Sequence, residues 1–175
     1  MNDSSTKLMV ALFDHVVCVK INGRADFTLS LDLKKVIHEL SQRGYHRFVV
    51  ELRDCAMMDS TFLGTLSGVG LEFYETGQPQ NPPLELFNPS PRIAEVLENL
   101  GVAHLFKIVS CPEPLAVNYE PLPETGGQSK AAVTRNCLEA HRLLMGLNSE
   151  NVHRFKDVAL FLAEDLKRLE LAEKE

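Results

Sequence analysis

His46 to Gly64 reads HRFVVELRDCAMMDSTFLG, and this passage decides the architecture. Residues 46–54 predict a strand. Phe48, Val49 and Val50 form a near-continuous apolar centre, the pattern of a buried parallel strand. After Asp59 the periodicity turns helical, from Ser60 to about Thr76. Side-chain oxygens at such a junction accept hydrogen bonds from free N–H groups of the first helical turn. A carboxylate there also faces the positive end of the helix. The plainer reading is therefore that Asp59 or Ser60 caps a helix.

Three features exceed what a cap requires. A second hydroxyl, Thr61, follows Ser60. Phe62 and Leu63 lie in the first turn, where at least one is expected to point outward and offer a partner an apolar contact. Leu66 suits either that surface or the core. Gly64, Gly68 and Gly70 sit inside the helix, each costing about 1 kcal/mol relative to alanine. Gly64 and Gly68 share a face and predict close approach to the sheet; the spacing gives Gly70 no role. A phosphate on Ser60 would bring about -1.5 to -2 charges to a helix N-terminus beside Asp59.

Working outward, residues 7–13 and 16–21 are apolar, β-branched-rich runs around Asp14-His15 and predict a hairpin. NGRAD, 22–26, reads as a turn or loop. Leu33, Val36, Ile37 and Leu40 predict a helix over 30–43 that ends at Gly44. Residues 83–87 predict a strand. Ser90-Pro91 opens a helix with Ile93, Val96, Leu97 and Leu100 on its apolar face. Residues 104–109 predict an edge strand. The order β-β-α-β-α-β-α-β implies an α/β fold, a largely parallel sheet with packed helices. Residues 1–111 are expected to form this domain. Residues 112–129, with four of the nine prolines, read as a linker. Residues 130–175 carry two narrow apolar seams, Val133-Cys137-Ala140-Leu144-Leu147 and Val152-Phe155-Ala159-Leu162-Leu166-Leu169. They predict a helical hairpin, docked on its own chain or forming a homodimer.

The chain has 175 residues, 45% of them hydrophobic and 24% charged, as in a globular protein. Its net charge of -6 argues against nucleic acid as the main partner. The apolar runs are too short for direct membrane insertion, and MNDSSTK lacks the apolar core of a secretory signal. Four cysteines without a CxxC fit cytosolic thiols better than disulfides; a cytoplasmic location is expected. LPETG, 122–126, matches a cell-wall sorting sequence, but an amphipathic helical region follows it instead of an apolar span.

Chemistry elsewhere is thin. MDSTF lacks the G-x-S-x-G spacing of a hydrolase elbow, and no histidine is assignable by sequence as a base for Ser60. Cys137, His141 and His153 could converge on zinc, but Cys137 lies on the apolar seam and reads as a packed residue. Cys55, near the Asp59 turn, likewise reads as packed. No phosphate loop of the Walker type is present. No enzyme, metal or cofactor is expected.

Three ordered stretches resemble the STAS domain (sulfate transporter and anti-sigma factor antagonist). NGRAD resembles the Gly-x-x-Asp turn after the second strand, placing Asp26. MDSTFLGTL resembles the Met-Asp-Ser-Ser-Gly-Leu-Gly signature. SPRIAEVLENLGVAHLFKIV resembles the last helix and strand. The resemblance runs from residue 7 to about 109 and departs at Phe62, where the family usually has glycine. It implies a non-enzymatic bacterial regulator of transcription that works by partner switching. Ser60, with Thr61 second, would be phosphorylated by an anti-sigma factor serine kinase and restored by a phosphatase. Asp26, Asp59, Thr61, Phe62 and Leu63 would contact the partner. A non-phosphorylated scaffold, or an accessory subunit of a lipid transporter, is the other role the family offers.

Overall fold

The computed structural model describes residues 7–76, 83–123 and 127–174. Strand β1 (Lys7–Phe13) pairs antiparallel with β2 (Val16–Ala25) across a turn in which Asp14 takes φ 52°. Helix α1 (Phe27–Gln42) leads to β3 (Arg47–Glu51), parallel to β2. A short strand β4 (Cys55–Met58) enters helix α2 (Ser60–Thr76). Strand β5 (Leu84–Phe87), helix α3 (Pro91–Asn99) and strand β6 (Phe106–Val109) follow, the last two separated by a 3-10 turn at Ala103–Leu105. The two-residue strand β7 (Glu120–Pro121) precedes helices α4 (Lys130–Leu147) and α5 (Glu150–Ala172). The sheet order is β6-β5-β3-β2-β1-β7, with β4 paired to the far end of β2. The fold is mixed α/β with a mostly parallel sheet, as the element pattern predicts.

Cys55–Met58 is a strand that the sequence reading did not mark, the strand read over 104–109 starts only at Phe106, and two further stretches differ more. NGRAD continues β2 to Ala25 instead of looping, because Gly23 at φ 82° absorbs a register shift that brings β4 alongside. Residues 112–129 do not form a bare linker. Leu115, Val117 and Tyr119 pack on the sheet against Ala11, Cys18 and Val49, and β7 pairs with β1. Glu124 to Gly126 of LPETG lie outside the described residues.

Alternation sets the core. Val17, Val19, Ile21, Phe48, Val50, Leu84 and Leu86 point to one face. There they meet Leu33, Val36, Ile37 and Leu40 of α1, Phe62, Leu63 and Leu66 of α2, and Ile93 and Leu97 of α3. Phe62 is fully buried and Leu63 is 4% exposed. The expectation that one of them points outward is therefore wrong: both ring and branched chain join the helix–sheet core. Leu66 is core as well.

The glycines of α2 are explained by close approach, Gly64 and Gly68 to α4 rather than to the sheet, and Gly70 to Phe106 of β6. A Cβ on Gly64 would lie 2.5 Å from the backbone oxygen of Ala140, in α4. A Cβ on Gly68 would lie 3.2 Å from Leu143 of the same helix. Gly70 makes room for the Phe106 ring, 2.5 Å from its would-be Cβ.

The hairpin's first seam is thus used within the chain. Asn136 of α4 is buried and donates to Ser30 Oγ at 2.9 Å and Thr65 Oγ1 at 3.3 Å, tying α4 to α1 and α2. Asn151 at the start of α5 donates to the carbonyls of Leu100 and Leu144 at 3.0 and 2.8 Å. Arg154 reaches the Asn99 carbonyl at 3.2 Å. Leu138 and Leu144 are buried, each such burial being worth roughly 1.5–3 kcal/mol. Releasing α4 would forfeit all of these together.

Candidate functional site

Asp26 and Asp59 terminate the neighbouring strands β2 and β4, and each starts a helix. Asp26 Oδ1 accepts from Thr28 N at 3.0 Å, from Leu29 N at 3.4 Å and from the Thr28 hydroxyl at 2.6 Å. Asp59 serves two helices. Its Oδ1 accepts from Phe62 N at 2.8 Å, capping α2, and its Oδ2 accepts from Phe27 N at 2.8 Å, at the start of α1. One carboxylate thus satisfies orphan donors of both first turns and faces both positive helix ends.

The choice between Asp59 and Ser60 as the cap of α2 is thereby decided. Asp59 takes the backbone donor, and the Ser60 hydroxyl is left for another partner. That partner is His141 of α4: Ser60 Oγ lies 2.9 Å from Nε2. The other ring nitrogen, Nδ1, is 2.6 Å from the Cys137 carbonyl oxygen. A carbonyl can only accept, so Nδ1 carries a proton. In the neutral ring Nε2 then holds the lone pair, and the Ser60 hydroxyl donates to it. The Phe155 ring of α5 packs edge-on against the imidazole at 5.2 Å.

The site has a covered side and an open side. Thr61, Thr65 and His141 are buried, whereas Asp26, Asp59 and Ser60 are half-buried. Burial raises the pKa of the Cys137 thiol, and the Thr61 side chain works against that shift. His141 spends both ring nitrogens on Ser60 and Cys137, which leaves it no lone pair for the zinc arrangement with Cys137 and His153. Cys55 is buried, its thiol pushed up to about 11 by desolvation, which disfavours the reactive thiolate.

These positions carry the signature of a known family. The family model described as STAS domain matches residues 7–112. The chain belongs to the STAS domain family. Among solved structures, an anti-sigma factor antagonist from Mycobacterium paratuberculosis aligns with a TM-score of 0.51 at 18% identity, covering 63% of this chain and 89% of its own. The anti-sigma factor antagonist SpoIIAA in its unphosphorylated form aligns with a TM-score of 0.50 at 17% identity, covering 58% of this chain and 87% of its own. At these identities the likeness is one of fold. No curated protein matches the chain significantly.

Set against the sequence reading of the STAS signature, the structure gathers Asp26, Asp59 and Ser60 at one end of the sheet. It withdraws Thr61, Phe62 and Leu63 into buried positions. Two neighbours were not placed at this site by the sequence reading, which weighed His141 only as a zinc ligand. Phe27 is the exposed aromatic beside Asp26 and Asp59, at 44%; it directly follows the Asp26 of the turn, a signal that was available. His141 approaches from 81 residues away, and no spacing could have pointed to it. No described helix is long and apolar enough to cross a membrane.

Proposed function

We propose that this STAS protein is an anti-sigma factor antagonist-like regulator that binds an anti-sigma serine kinase and is switched by phosphorylation of Ser60. The observation that supports it most is the division of labour at the turn. Asp59 alone caps α2, so the Ser60 hydroxyl owes nothing to the backbone and can be modified without uncapping the helix. A phosphate there would add about -1.5 to -2 charges beside Asp59, enough to repel a partner docked over Asp26, Phe27 and Asp59. A phosphatase would reset the switch. The α/β fold shared with unphosphorylated SpoIIAA is consistent with this reading. The test is incubation with the cognate kinase and ATP, followed by phosphosite mapping. Stoichiometric phosphate on Ser60, abolished in Ser60→Ala, is expected; stoichiometric phosphate elsewhere, unaffected by that variant, would remove the proposal.

One observation favours the second reading, a constitutive scaffold or transporter-accessory module. The Ser60 hydroxyl is already engaged by His141, and α4 covers the adjoining face of α2. A scaffold predicts equal partner binding by unmodified and Ser60-phosphorylated protein. The switch predicts that the phosphorylated form is lost from a pull-down.

A further inference from the structure

We propose that His141 is the proton acceptor for phosphoryl transfer to Ser60, so that the site is a composite of the STAS core and the C-terminal hairpin. The inference rests on the reading of Ser60 as phosphoacceptor and assigns a role to a residue outside the STAS match.

A serine hydroxyl is a weak nucleophile until a base takes its proton. A candidate base must first be within hydrogen-bond reach of that proton. His141 Nε2 is, at 2.9 Å. Its tautomer is fixed by the Nδ1 contact to the Cys137 carbonyl, which leaves the Nε2 lone pair directed at the hydroxyl. A third group thus orients the base, as activated nucleophiles require. Phe155 of α5 holds the ring from another side. The imidazole is buried while Ser60 stays half-buried, so a phosphoryl donor can approach from solvent while the base remains inside.

The hairpin is a fixed part of this arrangement. Gly64 is in contact with the α4 backbone, Asn136 is bonded into α1 and α2, and Asn151 and Arg154 hold the α4–α5 turn against the end of α3. A helix so anchored keeps His141 in register with Ser60.

The step balances with a nucleoside triphosphate as donor. Ser60 Oγ bonds to the γ-phosphorus, and the bond from that phosphorus to the bridging oxygen breaks. The diphosphate leaves with the electron pair, and the Oγ proton passes to Nε2. The product pairs an imidazolium with a phosphate dianion.

Diisopropyl fluorophosphate tests the dyad without any kinase. Oγ bonds to phosphorus, fluoride leaves, and the same proton passes to Nε2. The expected result is labelling at Ser60, located by peptide mapping, that slows about 100-fold in His141→Gln. Thermal unfolding of the two proteins serves as the control for folding. The pH profile supplies a second readout. Labelling of the parent should rise as imidazole loses its proton and then level off, whereas His141→Gln should show no such step. Asp59 and Cys137 are the ionisable groups beside the dyad. Cys137→Ala, which retains the carbonyl on Nδ1, should keep the step, which assigns it to His141. Equal labelling rates in parent and His141→Gln, no label on Ser60 in the folded parent, or a rate that climbs with hydroxide without levelling would each overturn the inference. If His141→Gln does not fold, the parent's profile alone decides.

The outcomes separate the two claims. A cognate kinase that modifies His141→Gln as fast as the parent would overturn this inference and leave the phospho-switch intact. Labelling of Ser60 through His141, with no phosphate taken from the kinase, would overturn the phospho-switch and the phosphoryl-transfer role together, leaving only an activated Ser60–His141 pair.

Discussion

Ser60 Oγ and His141 Nε2 stand 2.9 Å apart although 81 residues separate them in the chain. The contact joins the first residue of α2 to the middle of α4. It makes the C-terminal hairpin a participant in the site.

The double role of Asp59 predicts an unusually costly cap mutation. Asp59→Ala removes the acceptor for Phe62 N and the acceptor for Phe27 N together. A single cap of this kind is worth about 1 kcal/mol, so a loss near 2 kcal/mol is expected. Asp59→Asn keeps one carbonyl oxygen and should lose about half as much. Urea unfolding midpoints measure both; an Asp59→Asn midpoint equal to that of the parent would show that one oxygen suffices and the second contact contributes nothing.

Gly64, Gly68 and Gly70 should respond differently to alanine. Gly64→Ala drives a methyl into the α4 backbone at Ala140 and should cost about 1–3 kcal/mol. Gly70→Ala meets the Phe106 ring and should cost a similar amount, about 1–3 kcal/mol. Gly68→Ala meets only a Leu143 methyl, which can turn aside. There the gain in helix propensity, about 1 kcal/mol, should offset the crowding. Thermal melts of the three variants give the ranking, and a Gly64→Ala melt equal to that of the parent would show that α4 does not sit against α2 in solution.

Asn136 is the polar anchor of the hairpin. Asn136→Ala leaves the Ser30 and Thr65 hydroxyls without their buried donor, a loss of about 1–3 kcal/mol. Hydrogen exchange should quicken over residues 130–147 more than over the strands. Uniform quickening across the chain would instead indicate one cooperative unit with no local opening of α4.

Cys55 predicts an alkaline limb to stability. Burial raises its thiol from an ordinary 9.0 to about 11. The unfolded chain therefore releases this proton at lower pH than the folded one. The stabilising contribution is complete below pH 9 and is lost as pH rises from there through about 11. Denaturant midpoints between those limits should fall less steeply in Cys55→Ala than in the parent. Parallel slopes would place the alkaline loss elsewhere.

The α/β class was legible because it follows from local patterns: apolar, β-branched-rich runs in the strands, Leu33-Val36-Ile37-Leu40 in α1, and Ser90-Pro91 at the start of α3. The strand-to-helix junction at Asp59-Ser60 was legible because it is contiguous, whereas NGRAD was read as a turn and instead continues β2 to Ala25. The roles of Phe62 and Leu63 were misread because a first turn shows the sequence both an inward and an outward side. Only the packed sheet, which receives both residues, selects between them.

Sequence alone determined that a strand runs into a helix at Asp59-Ser60 and that two amphipathic helices close the chain. These are properties of short segments, where neighbouring residues decide the backbone. Tertiary structure decided that Asp59 is the cap, that α4 rests on Gly64, and that His141 receives the Ser60 hydroxyl. Those outcomes depend on which faces pack together, and burial of the α4 apolar face brings into contact residues that no local periodicity connects.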